Sequence, residues 1–379
     1  MILDNYVTIQ ECVGIVDDII DIEDDLLMSQ NLKSLLEGLI KTLCSHSLFM
    51  TLVLFYLVAA LIVTIIYNTF DNLSISLYSN TLILMTTLFF VVYFNGYAIY
   101  VVIIIRPDRP IKYFLDDLKA SQLTMDRLLN ALPVFLFLPI FMSTFTSFKT
   151  MIPVVNPFSW DYRFAVLDAI VHGGIHPWRL LQPVVGYPLL TSIINFFYNL
   201  WFFVMFGVLF WQTFSLRNKR LRMQFLLAFI LSWILLGTLA AVIFSSAGPC
   251  YYGHLVEGKD VYQPLMEYLE SARESYPVWA LGTQEMLWQS YRNGGVGKVT
   301  GISAMPSMHI SIVFLFAVLG WRTHRIAGIG FSLFAIFIMI GCIHLGWHYA
   351  IDGYVSIVGT YFIWWFAGRL LGRMDGLCL

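Results

Sequence analysis

The sequence is poor in charged residues. Lys, Arg, Asp and Glu make up 12% of its 379 residues, hydrophobic residues make up 59%, and the mean hydropathy is +0.75. An ordinary soluble domain carries roughly 25% charged residues, so this composition excludes one. The apolar residues are gathered in runs close to the roughly 20 residues that a helix needs to cross a bilayer. The composition therefore predicts an all-α protein, a polytopic membrane helical bundle.

Cysteine is also scarce. The five cysteines include no close pair: Cys12, Cys44, Cys250, Cys342 and Cys378. This spacing predicts neither a disulfide framework nor a thiolate metal site. Six acidic residues between Asp17 and Asp25 interrupt the apolar residues near the N-terminus, so we expect no signal peptide there.

Apolar runs between charged breaks predict eight membrane spans. The predicted spans lie near residues 48–67, 81–105, 131–148, 193–214, 225–245, 304–321, 326–345 and 349–371. Residues 1–47 are predicted to form an acidic, amphipathic cytoplasmic extension, and residues 48–379 one membrane domain. The segment 149–192 is rich in Trp, Pro, Gly and His, which is typical of short re-entrant or interfacial helices.

Basic residues predict the orientation of these spans. The short loops at 106–127, 217–222 and 322–325 carry most of the clustered Lys and Arg residues, and all three fall on one side of the membrane. The positive-inside rule makes that side cytoplasmic, together with both termini. The loops at 149–192 and 246–303 then lie on the periplasmic or lumenal side, where we expect the functional residues.

The first candidate motif is SAMPSMH at residues 303–309, immediately before an apolar run. Pro306 suits the start of a helix, and the Ser307 side chain can cap the free amides of its first turn. A helix N-terminus favours an anion such as phosphate. His309 would then lie one turn from that phosphate.

The second candidate motif places His348 four residues before Asp352, at the turn between the last two predicted spans. This spacing predicts that both side chains project from one helical face and that the carboxylate accepts a hydrogen bond from one imidazole nitrogen. The other nitrogen is then free to attack phosphorus. In this interpretation His309 is the general acid for the departing oxygen.

The sequences PSMH (residues 306–309) and HYAID (residues 348–352) resemble the second and third motifs of the type 2 phosphatidic acid phosphatase superfamily. Within it, the nearest resemblance is to the inositol phosphorylceramide synthase branch, to which FK at 148–149, PFSWD at 157–161 and SAGP at 246–249 are also similar.

The resemblance implies a six-helix phosphatase-like core, lipid substrates and a metal-independent phosphohistidine mechanism. It makes His348 the nucleophile, Asp352 its orienting partner and His309 the acid. It implies no cofactor and no nucleic-acid partner, and it leaves the oligomeric state open.

The chain also departs from the phosphatase pattern. That pattern has an arginine six residues before the nucleophile, where this chain has Cys342, and an Arg-Pro seven residues after the first-motif lysine, where this chain has Asn156. The predicted substrate-binding residues are Lys149, Ser307, His344 and Arg163. A site with few cations favours a phosphodiester, which carries one negative charge, so we expect transfer of a phospho-headgroup to a lipid hydroxyl.

Three alternatives stay open from the sequence. The same histidine chemistry would hydrolyse a phosphomonoester such as phosphatidic acid or an isoprenyl phosphate. Eight spans with intramembrane polar groups would also suit a non-catalytic lipid transporter. Asp168, His172 and His176, at i, i+4 and i+8, have the spacing of metal ligands on a helix, but Gly173 and Gly174 should break that helix. We therefore predict no metal.

Overall fold

Every regular element that the structure describes is helical. The computed structural model describes residues 9–293 and 301–374, and the predicted all-α fold class is confirmed. In chain order the α-helices are α1 (Ile9–Tyr67), α2 (Ser79–Tyr100), α3 (Pro110–Asp117), α4 (Met125–Val155), α5 (Asp161–Val171), α6 (Pro177–Val185), α7 (Pro188–Phe214), α8 (Lys219–Ile234), α9 (Ala241–Ile243), α10 (Tyr252–Leu255), α11 (Gln263–Ser275), α12 (Trp279–Arg292), α13 (Met308–Thr323), α14 (Arg325–His344) and α15 (Ala350–Met374).

Among the described residues, seven helical stretches are long and apolar enough to cross a membrane. They are Leu32–Tyr67, Ser79–Ile105, Met125–Val155, Pro188–Phe214, Lys219–Ile243, Arg325–His344 and Ala350–Arg373. π-Helical turns extend two of them, α2 as far as Ile105 and α8 through to α9. The chain is therefore an integral, multi-pass membrane protein, as its composition predicts.

The eighth predicted span forms α13, which is shorter than the other seven. Its 16 residues rise about 24 Å at 1.5 Å per residue, less than the roughly 30 Å of a hydrocarbon core. Helices α7, α8, α14 and α15 pack around α13, and Leu315 and Phe316 in its middle are fully buried. Because α13 contacts mainly protein, its length does not have to match the thickness of the lipid.

Helix α1 runs without a break from Ile9 to Tyr67, and the candidate span within it begins at Leu32. The predicted border between the extension (1–47) and the first span therefore falls inside a helix. Residues 1–8 lie outside the described part of the chain, as do the side chains before residue 32. The acidic, amphipathic extension stays a prediction.

The long helices alternate in direction, so their ends form two layers. In one layer, Thr191 Oγ1 near the start of α7 lies 2.9 Å from His344 Nε2 at the end of α14. In the other layer, Arg127 Nη1 near the start of α4 donates to the Phe214 carbonyl at the end of α7 (2.9 Å). We call the first layer the motif end, because α13 and α15 begin there. Helix α1 runs towards the motif end, and α15 runs away from it.

Short helices cover the motif end between the spans. Helices α5 and α6 occupy the segment that was predicted to hold interfacial helices, and α10, α11 and α12 follow α9. Gly173 and Gly174 adopt positive φ angles of 69° and 87° after α5, a conformation that favours glycine. They separate α5 from α6, as the sequence predicts.

Candidate active site

Three of the predicted site residues share one cavity at the motif end. The cavity has a volume of about 500 Å³, and Lys149, His309 and His348 lie in its wall. Its other lining residues come mainly from α4, α7, α8, α12 and the segment before α13. Among the described lining residues, Lys149 is the one lysine or arginine, and none carries a carboxylate. The wall therefore favours an anionic ligand.

His348 is held in one tautomer. Its Nδ1 lies 2.8 Å from the Ala304 carbonyl oxygen and 3.3 Å from Asp352 Oδ2. Because a carbonyl oxygen can only accept, Nδ1 carries the proton and donates it. Burial lowers the pKa of His348 to about 3, so the ring is neutral near pH 7. Nε2 is therefore unprotonated, which a nucleophilic nitrogen requires.

Asp352 contacts His348 differently from the sequence prediction. Helix α15 begins at Ala350, so His348 precedes the helix and does not share a helical face with Asp352. Asp352 is fully buried, and its Oδ2 accepts from the Tyr349 backbone amide at 3.0 Å as well as from His348. The carboxylate thus closes the turn that carries the histidine, and the shorter hydrogen bond to Nδ1 belongs to Ala304.

His309 lies in the first turn of α13, where the sequence predicts it. The Ser307 side chain caps this helix by accepting from the Ile310 amide at 3.5 Å. Within the described part of the chain, the amides of Met308 and His309 have no acceptor, so they are free to face an anion. The ring centroids of His309 and His348 are 6.1 Å apart. The two imidazoles can therefore act on the same small group.

Lys149 reaches the cavity from α4. No carboxylate of the described residues pairs with its ammonium group. Gly301 packs against the Lys149 backbone with a φ of 96°, and a Cβ added there would lie 2.9 Å from the Lys149 carbonyl carbon. The close approach therefore needs glycine at this position, and it brings the segment before α13 against α4. The arrangement leaves one partly buried cation beside the two histidines.

The other three predicted binding residues do not line the cavity. Ser307 is buried as the cap of α13, with its Oγ 3.7 Å from Cys342 Sγ. His344 is fully buried, and its Nε2 lies 2.9 Å from Thr191 Oγ1. Arg163 places its guanidinium over the Trp160 ring, 4.8 Å from the centroid. The structure therefore brings Lys149 together with the histidines and leaves these three outside the wall.

Two carboxylates that the sequence analysis gave no such role hold the motifs in place. Asp168 accepts from the amides of Ala350 and Ile351, each at 2.9 Å, and so caps α15. Asp161 accepts from the Gly248 amide at 2.8 Å and the Tyr349 hydroxyl at 2.9 Å. Burial raises the pKa of both carboxyls, and the backbone hydrogen bonds oppose that rise. In the sequence, Asp161 ends the PFSWD motif, and Asp168 follows it seven residues, or two helical turns, later. These two positions are the signal by which the pair could have been found.

These contacts also bear on the metal alternative. Both carboxylate oxygens of Asp168 accept hydrogen bonds from backbone amides of α15. The backbone carbonyl oxygen of Asp168 lies 2.6 Å from His172 Nδ1. His172 Nε2 lies 2.9 Å from the Tyr354 hydroxyl. His176 lies beyond the glycine break and packs on the Tyr262 ring. No group of three His, Cys, Asp or Glu side chains suited to a metal occurs in residues 9–293 and 301–374.

Comparison with known proteins agrees with the motifs. The family model of the PAP2 superfamily matches residues 163–366, more than half of the chain and inclusive of both motifs. The match is to the superfamily and does not extend to the inositol phosphorylceramide synthase branch. No curated protein and no solved structure matches the chain. The chain therefore belongs to the PAP2 superfamily, and its function is of the lipid phosphatase or phosphotransferase type.

Proposed function

We propose that this protein is a lipid phosphotransferase that moves a phospho-headgroup from a phospholipid donor to a lipid hydroxyl through a phosphohistidine on His348. The observation that carries this proposal is the charge of the cavity wall. Lys149 is the one lysine or arginine in that wall among the described residues, and the imidazoles of His309 and His348 stand beside it.

The charge of the wall favours a phosphodiester over a phosphomonoester. A monoester near neutral pH carries close to two negative charges, and the phosphatase pattern of this superfamily surrounds it with a lysine and two arginines. Burying a second negative charge beside a single lysine is costly, because each buried charge needs a partner. A phosphodiester carries one negative charge, which Lys149 and the amides of α13 can balance.

The shape of the cavity supports a lipid substrate. Along α4 the wall runs from Lys149 back to Met142, seven residues deeper in the bundle, and along α7 it runs from Tyr198 to Met205. At 1.5 Å per residue the cavity therefore extends about 10 Å below the histidines. The side chains at this depth include Phe145 and are mainly apolar and aromatic. A hydrocarbon chain can occupy this part while its phosphate lies at the histidines.

The transfer has two steps. In the first step His348 Nε2 attacks phosphorus, the bond from phosphorus to the lipid oxygen of the donor breaks, and His309 gives a proton to that oxygen. Ala304 and Asp352 accept from His348 Nδ1 and stabilise the positive charge that develops on the ring. In the second step His309 takes the proton of the acceptor hydroxyl, whose oxygen attacks the phosphorus of the phosphohistidine. The phosphorus–nitrogen bond breaks, and its electron pair returns to His348 Nε2.

The site is proposed to lie on the non-cytoplasmic face. The basic loops at 106–127, 217–222 and 322–325 join spans at the end of the bundle opposite the motif end. The positive-inside rule makes that opposite end cytoplasmic. The motif end then faces the periplasm or a lumen, and the start of α1 and the end of α15 lie on the cytoplasmic side.

The resemblance to the inositol phosphorylceramide synthase branch supports a lipid acceptor such as ceramide or diacylglycerol. The test supplies purified protein in vesicles with a phospholipid that carries a labelled headgroup, together with ceramide or diacylglycerol. We expect the label to move to the acceptor, His348→Ala to abolish the transfer, and Arg163→Met to leave it unchanged. Phosphatidic acid is supplied in a parallel reaction. Rapid phosphate release from phosphatidic acid, with no headgroup transfer from any donor, would contradict the proposal and identify the protein as a lipid phosphate phosphatase.

A further inference from the structure

Two aromatic rings of α7 pack against His309. The Tyr198 ring is stacked on it at a centroid distance of 4.5 Å and an interplanar angle of 23°, and the Trp201 ring lies 4.3 Å away at 42°. Tyr198 and Trp201 are three residues apart on α7, so both project from one helical face. Both are buried, at 6% exposure. Tyr198 also stacks parallel to Trp347, which precedes His348.

The charged and titratable groups around His309 do not favour a proton on it. Lys149 of α4 and His348 before α15 face it from the cavity wall, and both disfavour a second positive charge nearby. Tyr198 of α7 contacts Cys342 of α14. Helices α8 and α12 contribute uncharged side chains to the wall. In the described part of the chain, neither ring nitrogen of His309 has a hydrogen-bond partner.

A general acid must nevertheless hold a proton when the donor lipid departs. Besides the bound phosphate itself, the aromatic faces are the groups of the described protein that can stabilise an imidazolium at this position, because a ring face attracts a cation within about 6 Å of its centroid. The stack also restricts rotation of the His309 ring, so that its edge stays directed towards the cavity.

We infer that Tyr198 and Trp201 are positioning residues that hold the His309 ring and favour its protonated form for proton transfer to the leaving oxygen. This inference rests on the proposed function. As the bond from His348 Nε2 to phosphorus forms, the electron pair of the breaking phosphorus–oxygen bond passes to the lipid oxygen, which takes the proton of His309. The acceptor hydroxyl returns that proton in the second step, so the cycle needs no further reactant.

The test compares leaving groups. Two synthetic phosphodiesters share one headgroup; one releases a long-chain alcohol, and the other releases an alkylated nitrophenol, which departs without a proton. For Trp201→Leu we expect kcat to fall about tenfold with the alcohol ester and less than about twofold with the nitrophenyl ester, as loss of a desolvated cation–π contact would give. The alkaline limb of the kcat–pH profile should move about one pH unit lower with the alcohol ester. Trp201→Phe should keep most of the wild-type kcat with the alcohol ester and most of the wild-type position of the alkaline limb.

The controls separate this inference from the proposed function. Trp364→Leu removes a buried indole of α15 that does not line the cavity, and it should change both esters alike. Tyr198→Leu is the second variant if Trp201→Leu does not fold, with the same expected pattern. If the wild-type protein turns over both esters, an equal loss of kcat with the two esters in the Trp201→Leu or Tyr198→Leu variant would overturn the inference. An alkaline limb that does not move in these variants would also overturn it. If the wild-type protein turns over neither ester, the proposed function fails instead.

Discussion

The substitution Asp352→Asn separates two roles that a carboxylate can have beside a histidine nucleophile. In serine proteases the corresponding change leaves the histidine in the wrong tautomer and lowers kcat by about 10⁴. Here the Ala304 carbonyl accepts from His348 Nδ1 at 2.8 Å, whereas Asp352 Oδ2 lies 3.3 Å away. The carbonyl survives the substitution. His348 should therefore keep its proton on Nδ1 and its free Nε2.

What Asp352→Asn removes is a negative charge beside a ring that becomes positive during phosphoryl transfer. A hydrogen bond to a charged group contributes about 1.5–3 kcal/mol, which corresponds to a loss of about 10- to 150-fold in kcat. The asparagine side-chain oxygen can still accept from the Tyr349 amide, so the turn before α15 should persist. We thus expect a loss of about 10², well short of the effect of His348→Ala.

The assay measures the rate at which the lipid alcohol of the donor is released under single-turnover conditions. His348→Ala is the inactive control that sets the background rate. Thermal unfolding of Asp352→Asn checks that the turn has survived. A loss of about 10⁴ or more in a folded protein would contradict this reasoning, because it would show that Asp352, and not Ala304, fixes the tautomer.

Three further predictions concern charge, pH and metal. Lys149→Met should raise the KM of a phosphodiester donor about 10- to 150-fold, because a charge-assisted hydrogen bond to phosphate is lost. The KM of Lys149→Arg should stay within about tenfold of the wild-type value, and that of Arg163→Met within about twofold. Burial lowers the pKa of His348 from 6.5 to about 3, so the unfolded chain binds a proton there between these pH values and the folded chain does not. Stability should therefore fall as the pH falls from 6.5 towards 3, and the Tm of His348→Gln should fall less over that range. Activity should persist in excess EDTA, since Asp168 is engaged by the amides of α15; loss of activity that added metal restores would revive Asp168, His172 and His176 as ligands.

Hydropathy predicted most of the fold, because a span must be apolar over its whole length. The exception in length is α13, whose apolar run was counted from residue 304. The structure begins the helix at Met308, after the segment that packs against α4. Apolar residues in a buried loop and in a span have the same composition, so hydropathy cannot separate them.

Motif spacing placed His309 and His348 close together, and the sequence also predicted that Lys149 belongs with them. It did not predict that Ala304 would accept from His348, because a backbone carbonyl leaves no mark in the residue type. It also did not predict that Asp168 caps α15, since the two segments are more than 180 residues apart. Contacts between distant segments depend on how the helices pack, which one sequence does not specify residue by residue.

The stack of Tyr198 and Trp201 on His309 was missed for a different reason. Aromatic residues make up 16% of the chain, so two more on an apolar helix carry no signal. Only the rotation of α7 against α13 distinguishes them from the exposed aromatic residues of the same helix, such as Phe196.

The central claim is that His348 carries the transferred group, and rapid-quench labelling tests it most directly. Wild-type protein is mixed with a phospholipid donor labelled in its phosphate, quenched under alkaline conditions within one turnover, and digested for peptide mapping. The account predicts an acid-labile label on the peptide that contains His348. The amount of this label should rise and then fall as the labelled group passes to the acceptor, and His348→Ala should carry no label. Turnover at an undiminished rate with no covalent label at any time, or with label on another residue, would contradict it.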